Sequence, residues 1–274
     1  MRIVQRYFLL LGLVVLSLPA LAAIQSREIP YQAADGTSLL GYYAWDDSIK
    51  GRRPGIVVVH EWWGLNDYAR RRANELAALG YAALAIDMYG DGKHTEHKGE
   101  AMEMMHGVTN DSKVSYARAL AGLDLLKAQA EVDTKKVAAI GYCFGGKVVL
   151  DMARQGMDLA GVVSFHGVLA TATPAQKGKV RASVLVLNGE ADKFIPAADI
   201  EATRKEMKDA GVDFTFVNYP GAKHAFTSTD ADRLGKENDM DIAYNADADK
   251  ASWQKMQEFF KRLFKARESR MKGY

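Results

Sequence analysis

Short apolar runs along this chain alternate with longer stretches whose apolar positions recur at helical spacing. The run Gly55 to His60 (GIVVVH) is rich in valine and too short for a helix, as expected of a central parallel strand. Tyr81 to Asp87 (YAALAID), Val137 to Tyr142, Leu159 to His166 (LAGVVSFH), Ser183 to Asn188 (SVLVLN) and Phe214 to Tyr219 (FTFVNY) repeat that pattern. An earlier strand is expected over Ser38 to Trp45, with a polar turn from Asp46 to Pro54. Between the strands, Asn66 is a plausible N-cap for a helix that turns Tyr68, Ala69, Ala73, Leu76, Ala77 and Leu79 inward and closes at Gly80. Further helices are expected over Ser112 to Ala130, Phe144 to Arg154, Ala197 to Ala210 and Asp249 to Lys265, while residues 88–111 read as irregular and then Met-rich. This alternation predicts an α/β fold with a mostly parallel central sheet and helices on both faces.

At 274 residues and 48% apolar content, one such domain, over residues 23–274, accounts for the chain. Residues 1–22 have the pattern of a cleaved signal peptide: Arg2 and Arg6 precede an apolar run from Tyr7 to Leu18, and Ala20-Leu21-Ala22 supplies the small-x-small site. The run is shorter than the ~20 residues of a spanning helix, so no stable membrane anchor is expected after cleavage. The expected location is therefore secreted or periplasmic. Loss of residues 1–22 removes two arginines and no acids, leaving 34 basic against 34 acidic residues and no basic arm for nucleic acid. A single cysteine rules out an internal disulfide in a compartment that would permit one, which suggests a chemical use for the thiol.

That cysteine lies in Gly141-Tyr142-Cys143-Phe144-Gly145, a G-x-S-x-G elbow with sulfur for oxygen. Taken alone, the pentapeptide fits equally an inert buried cysteine in a glycine-rich turn. Other strand ends supply partners: Glu61 after the valine run, Asp192 in GEADKFIP and His224 in YPGAKHAF. The order nucleophile, acid, histidine is that of the α/β-hydrolases. A thiolate can attack an acyl carbon, histidine can move its proton near neutral pH, and a carboxylate can hold the imidazole tautomer. Backbone N–H groups of Phe144 and Trp62 would form the oxyanion hole. Asp87 and Glu190 compete with Asp192 as the histidine's orienter, and chain order favours Asp192.

With HEWWGLN, DMYGDG, GYCFGG, GEADKFIP and YPGAKHAF in this order, the chain resembles the dienelactone hydrolase family over roughly residues 28–265. The resemblance implies the α/β-hydrolase fold, with Cys143 as nucleophile, Asp192 as acid and His224 as base. It also implies that Glu61 contacts the resting thiol and is displaced by substrate. A carboxylate there would disfavour the thiolate; the alternative is a helix-flanking acid that caps backbone donors. Family members that cleave dienelactone hold its carboxylate with two arginines, and the corresponding positions here are Asp91 and Ser228. An acid and a hydroxyl cannot replace a guanidinium clamp, so dienelactone itself is not the expected substrate. Lys93 and Lys223 are alternative sources of charge.

Trp62, Trp63, Tyr89 and His166 are candidate pocket residues, and Met102, Met104 and Met105 belong to a cap or to the core. His60 reads as a hydrogen-bonded core histidine. His94, His97 and His106 lack the spacing of a metal site, and no metal or cofactor is expected. The acidic run from Asp230 to Asp249 reads as a solvated loop, close enough to His224 to cover a pocket. The expected activity is hydrolysis of a small carboxylic ester or lactone through an acyl-enzyme. Thioester hydrolysis, a non-catalytic small-molecule-binding role and a thiol redox role are the alternatives.

Overall fold

A computed structural model describes residues 24–272. The signal segment, residues 1–22, lies outside the described residues. Among the described residues, eight strands form one sheet in the order β1-β2-β4-β3-β5-β6-β7-β8. They are β1 (Ile24–Gln32), β2 (Ser38–Asp46), β3 (Arg53–Val59), β4 (Ala82–Ile86), β5 (Val132–Tyr142), β6 (Gly161–Phe165), β7 (Ser183–Gly189) and β8 (Phe214–Tyr219). β1 pairs antiparallel with β2, and β2 antiparallel with β4; the remaining pairs are parallel. The helices are α1 (Asp67–Ala78), α2 (Lys98–Thr109), α3 (Ser112–Lys127), α4 (Phe144–Arg154), α5 (Ala197–Asp209), α6 (Ala231–Asn238) and α7 (Ala246–Lys272).

Alternate side chains of a strand point to opposite faces, so a strand covered on both sides is apolar throughout. In β3, Val57 and Val59 join one core cluster with Leu123 and Leu126 of α3 and Val149 and Met152 of α4. Ile56 and Val58 join a second, with Tyr68, Ala73 and Leu76 of α1 and Met256, Phe260 and Phe264 of α7. Two cores on a rigid sheet fix the strand ends where the candidate residues sit.

Local signals set the helix limits. Asn66 is extended (φ −92°) and its side chain accepts from Ala69 N–H, as expected of an N-cap. Leu79, expected to face inward, is instead 41% exposed at the C-cap, because the helix has already ended and Gly80 turns the chain at φ +89°. Three elements depart from the expected pattern. β1 is an edge strand with most side chains exposed, so it carries no apolar rhythm. α2 forms within the stretch expected to be irregular; it has no side-chain cap at His97 and contains Gly99 and Gly107. α6 forms within the expected solvated loop, burying Ala231, Leu234 and Gly235.

Candidate active site

The elbow is built by close approach. Cys143 follows β5 and precedes α4, with φ +53° and ψ −115°, a conformation that costs an L residue strain. A Cβ on Gly145 would lie 2.2 Å from the Val59 carbonyl oxygen, and one on Gly141 would lie 2.0 Å from the Gly145 oxygen. Strand, turn and helix therefore pack together only with hydrogen at both positions. The half-buried Cys143 side chain is held at the helix entrance.

Asp192 follows β7 and His224 follows β8, and both are buried. Asp192 Oδ2 lies 2.8 Å from His224 Nδ1, while its Oδ1 accepts from the Phe194 N–H at 2.8 Å. The carboxylate is thus fixed from two directions, and Nε2 of the ring is left for the thiol. Burial opposes a charged imidazole, but the Cys143 charge and hydrogen bonds to Asp192 and Cys143 hold the His224 pKa well above its ordinary value. Glu61 is also buried. Desolvation pushes its pKa up to about 7, against opposing pulls from His224 and Arg72. No hydrogen bond joins Glu61 to Cys143 among the described residues, and both line one cavity.

That cavity, about 160 Å³, has Cys143, His224 and Glu61 in its lining. Trp62 and Trp63 come from the segment after β3, Met105 from α2, and Val168 and Phe194 from the loops after β6 and β7. Met240 and Ile242 come from the segment after α6. No lysine or arginine among the described residues lines it. A larger groove of about 550 Å³, bordered by Thr109, Lys147 and Asp151, contains none of the candidate residues.

Trp62 and Trp63 stand where the pocket requires them, with their rings 4.9 Å apart. The N–H groups of Trp62 and Phe144 have no hydrogen-bond partner among the described residues, as free oxyanion donors would require. Two candidate pocket residues do not line the cavity. His166 is fully buried at φ +40°, packed edge-on against the His224 ring at 5.2 Å, with Nε2 2.8 Å from Thr227 Oγ1. Its ring packs against His224, and it is not among the residues that line the cavity. Desolvation, with His224 and Arg72 nearby, pushes its pKa well below the ordinary value and keeps it neutral. Tyr89 turns its hydroxyl to the Trp62 carbonyl at 3.0 Å and packs against Phe144.

The competing acids are placed elsewhere. Asp87 accepts from the N–H groups of Leu40, Tyr89, Gly90 and Gly92, organising the turn after β4, and Glu190 is exposed. Asp91 is exposed and Ser228 is buried as a neutral side chain. Lys93 pairs with Asp91 at 3.8 Å and Lys223 with Asp241 at 2.5 Å. His94, His97 and His106 are exposed. Val168 and Phe194 are wall residues that the sequence pattern did not assign, whereas Met105 comes from the Met-rich stretch expected in a cap or the core, and Met240 and Ile242 from the acidic run expected close to the pocket. Phe194 had a signal, standing two residues after Asp192 in the segment GEADKFIP.

Residues 39–264 match the model of the dienelactone hydrolase family. The chain belongs to the dienelactone hydrolase family. A crystal structure of a dienelactone hydrolase-like promiscuous phosphotriesterase from metagenomic libraries shares 38% identity and a TM-score of 0.82, over 88% of this chain and 99% of that one. A Yersinia pestis protein provisionally named a carboxymethylenebutenolidase is 29% identical, over 83% of this chain and 85% of its own length. A structure from Klebsiella pneumoniae subsp. pneumoniae at 24% identity, TM-score 0.72, shares the fold across 87% of this chain and 98% of its own. Membership in this family makes the chain a carboxylic ester hydrolase with an α/β-hydrolase fold.

Proposed function

We propose that the chain cleaves neutral esters and lactones with an apolar acyl part through a Cys143-His224-Asp192 triad. The observation that carries this reading is the hydrogen-bonded Asp192-His224 pair beside Cys143, in a cavity that no described lysine or arginine lines. His224 takes the thiol proton, and the sulfur forms a bond to the acyl carbon as the carbonyl electrons move to oxygen. The N–H groups of Trp62 and Phe144 stabilise that oxyanion. Its collapse breaks the bond to the leaving oxygen, which takes the proton from His224. Water then gives a proton to His224 and attacks the thioester; the second collapse releases the acid and restores the sulfur. Asp192 fixes the imidazole tautomer throughout.

A carboxylate-bearing lactone would enter this cavity without a counter-charge, losing the ion pair that a guanidinium supplies. Dienelactone is therefore excluded from the proposal. The test is a panel of p-nitrophenyl acetate, p-nitrophenyl butyrate, a neutral lactone and a carboxylate-bearing lactone, with wild type and Cys143→Ala. Equal turnover by the two proteins would sink the mechanism, and preference for the charged lactone would sink the substrate class. The lack of a lysine or arginine in the lining and the likeness to the metagenomic phosphotriesterase favour a second substrate for the panel, a neutral aryl phosphotriester. We also propose export, on the pattern of residues 1–22. The mass of the chain in a periplasmic fraction tests it, and an intact N-terminus there would refute cleavage.

A further inference from the structure

His60 is fully buried at the end of β3, its ring 4.8 Å from that of Tyr89 and 5.8 Å from that of Phe144. Its Nε2 lies 3.2 Å from the Met88 backbone nitrogen. A backbone N–H only donates, so Nε2 accepts and the ring proton of the neutral imidazole is on Nδ1. Nδ1–H therefore donates to the Glu61 carbonyl, 2.5 Å away. Burial lowers the His60 pKa and keeps the ring in this neutral form. Gly64 N–H donates to the same carbonyl at 3.2 Å.

The Glu61-Trp62 peptide is trans, so its C=O and N–H point in opposite directions. Two donors on the Glu61 oxygen consequently set the direction of the Trp62 N–H, and Tyr89 Oη restrains the next peptide plane through the Trp62 carbonyl. The Trp62 N–H is left without a partner among the described residues, on a residue that lines the cavity.

We propose that His60 is a positioning residue of the oxyanion hole: its Nδ1–H bond to the Glu61 carbonyl aims the Trp62 N–H at the carbonyl oxygen of the bound ester. The proposal rests on the reading of Cys143 as nucleophile. Its function is directional, so a change at His60 acts on the tetrahedral step and leaves the intrinsic reactivity of the sulfur alone.

Two substitutions separate the two ring nitrogens. Asparagine places an amide nitrogen near Nδ1 and retains the donor to Glu61, while glutamine reaches the Nε2 position and retains the acceptor for Met88. With p-nitrophenyl butyrate, His60→Gln is expected to lose about 10- to 100-fold in kcat with KM nearly unchanged, a fraction of the 10²–10³ that removal of an oxyanion donor costs. His60→Asn is expected to remain within about threefold of wild type. Iodoacetamide provides the discriminating readout, because its alkylation of Cys143 forms a C–S bond and expels iodide with no oxyanion. Its rate is expected to be the same in all three proteins.

Equal kcat losses in the two variants, an unchanged kcat in His60→Gln, or a parallel fall in alkylation would each overturn the proposal. If neither His60 variant folds, Tyr89→Phe decides: a kcat loss of about three- to tenfold with unchanged alkylation supports it, and unchanged kcat overturns it. A wild type whose ester turnover survives Cys143→Ala would overturn the nucleophile reading and this proposal with it. Activity that depends on Cys143 combined with a wrong pattern at His60 and Tyr89 would overturn this proposal alone.

Discussion

Replacing Glu61 with glutamine converts a buried titrating group into a neutral one of nearly the same shape. Desolvation lifts the carboxyl from an ordinary 4.5 to about 7 in the folded chain, with His224 and Arg72 pulling the other way. Because the folded value lies above the unfolded one, the native state keeps a proton that the unfolded chain has released. The corresponding stabilisation is complete below pH 4.5 and is lost as pH rises through 7. A gap of roughly 2.5 units corresponds to about 3 kcal/mol, most of which is lost between pH 5 and pH 8. Glutamine has no such dependence. The stability of Glu61→Gln relative to wild type is therefore expected to rise by about 2–3 kcal/mol from pH 5 to pH 8. Urea unfolding followed by tryptophan fluorescence at three pH values measures it, and any constant cost of burying the amide cancels in the difference. A gap that is flat with pH, or that narrows as pH rises, would refute the assignment of a raised pKa to this carboxyl.

Two further perturbations probe the elbow and the cavity wall. Gly145→Ala places a methyl 2.2 Å from the Val59 carbonyl and is expected to destabilise by about 3 kcal/mol or more; a thermal melt matching wild type would contradict the close approach of α4 to β3. Asp241 pairs with Lys193 at 2.7 Å and Lys223 at 2.5 Å, and its neighbours Met240 and Ile242 line the cavity. Asp241→Asn is expected to raise KM for p-nitrophenyl butyrate about two- to fivefold with kcat retained, and wild-type KM to rise with added NaCl as the exposed pairs are screened. A KM insensitive to both salt and substitution would show that the wall holds without these pairs.

The parts of this molecule that could be read from its sequence are those where one local rule decides the outcome. α4 runs from Phe144 to Arg154 as expected, because the elbow glycines and the apolar face of that segment agree. Asn66 caps α1 because its side chain reaches a backbone donor three residues ahead. β5 was harder to bound: it begins at Val132, but the polar residues 133–136 interrupt its apolar pattern, and the register with β3 shifts between Pro54 and Gly55. β1 depends on pairing with β2 and has no burial pattern of its own. At the site, the strand pattern put Asp192 and His224 after two successive strands, and the pairing of β7 with β8 makes those strand ends neighbours. The choice between Asp87 and Asp192 became physical only when four backbone donors were found on Asp87. The cavity wall was least legible. Met105, Val168, Phe194, Met240 and Ile242 come from four separate segments, and their convergence depends on the lengths of loops that no periodicity encodes.

On the proposed mechanism, the solitary thiol makes the molecule its own active-site counter. Cys143 is the only sulfhydryl in 274 residues and it lies in the lining of the cavity. A thiol reagent therefore has one address per chain, and each mass increment records one occupied site with no background from elsewhere. Specific activity can be expressed per reactive centre instead of per milligram, so a preparation that has lost half its sites to oxidation can be told from one that is uniformly half as fast.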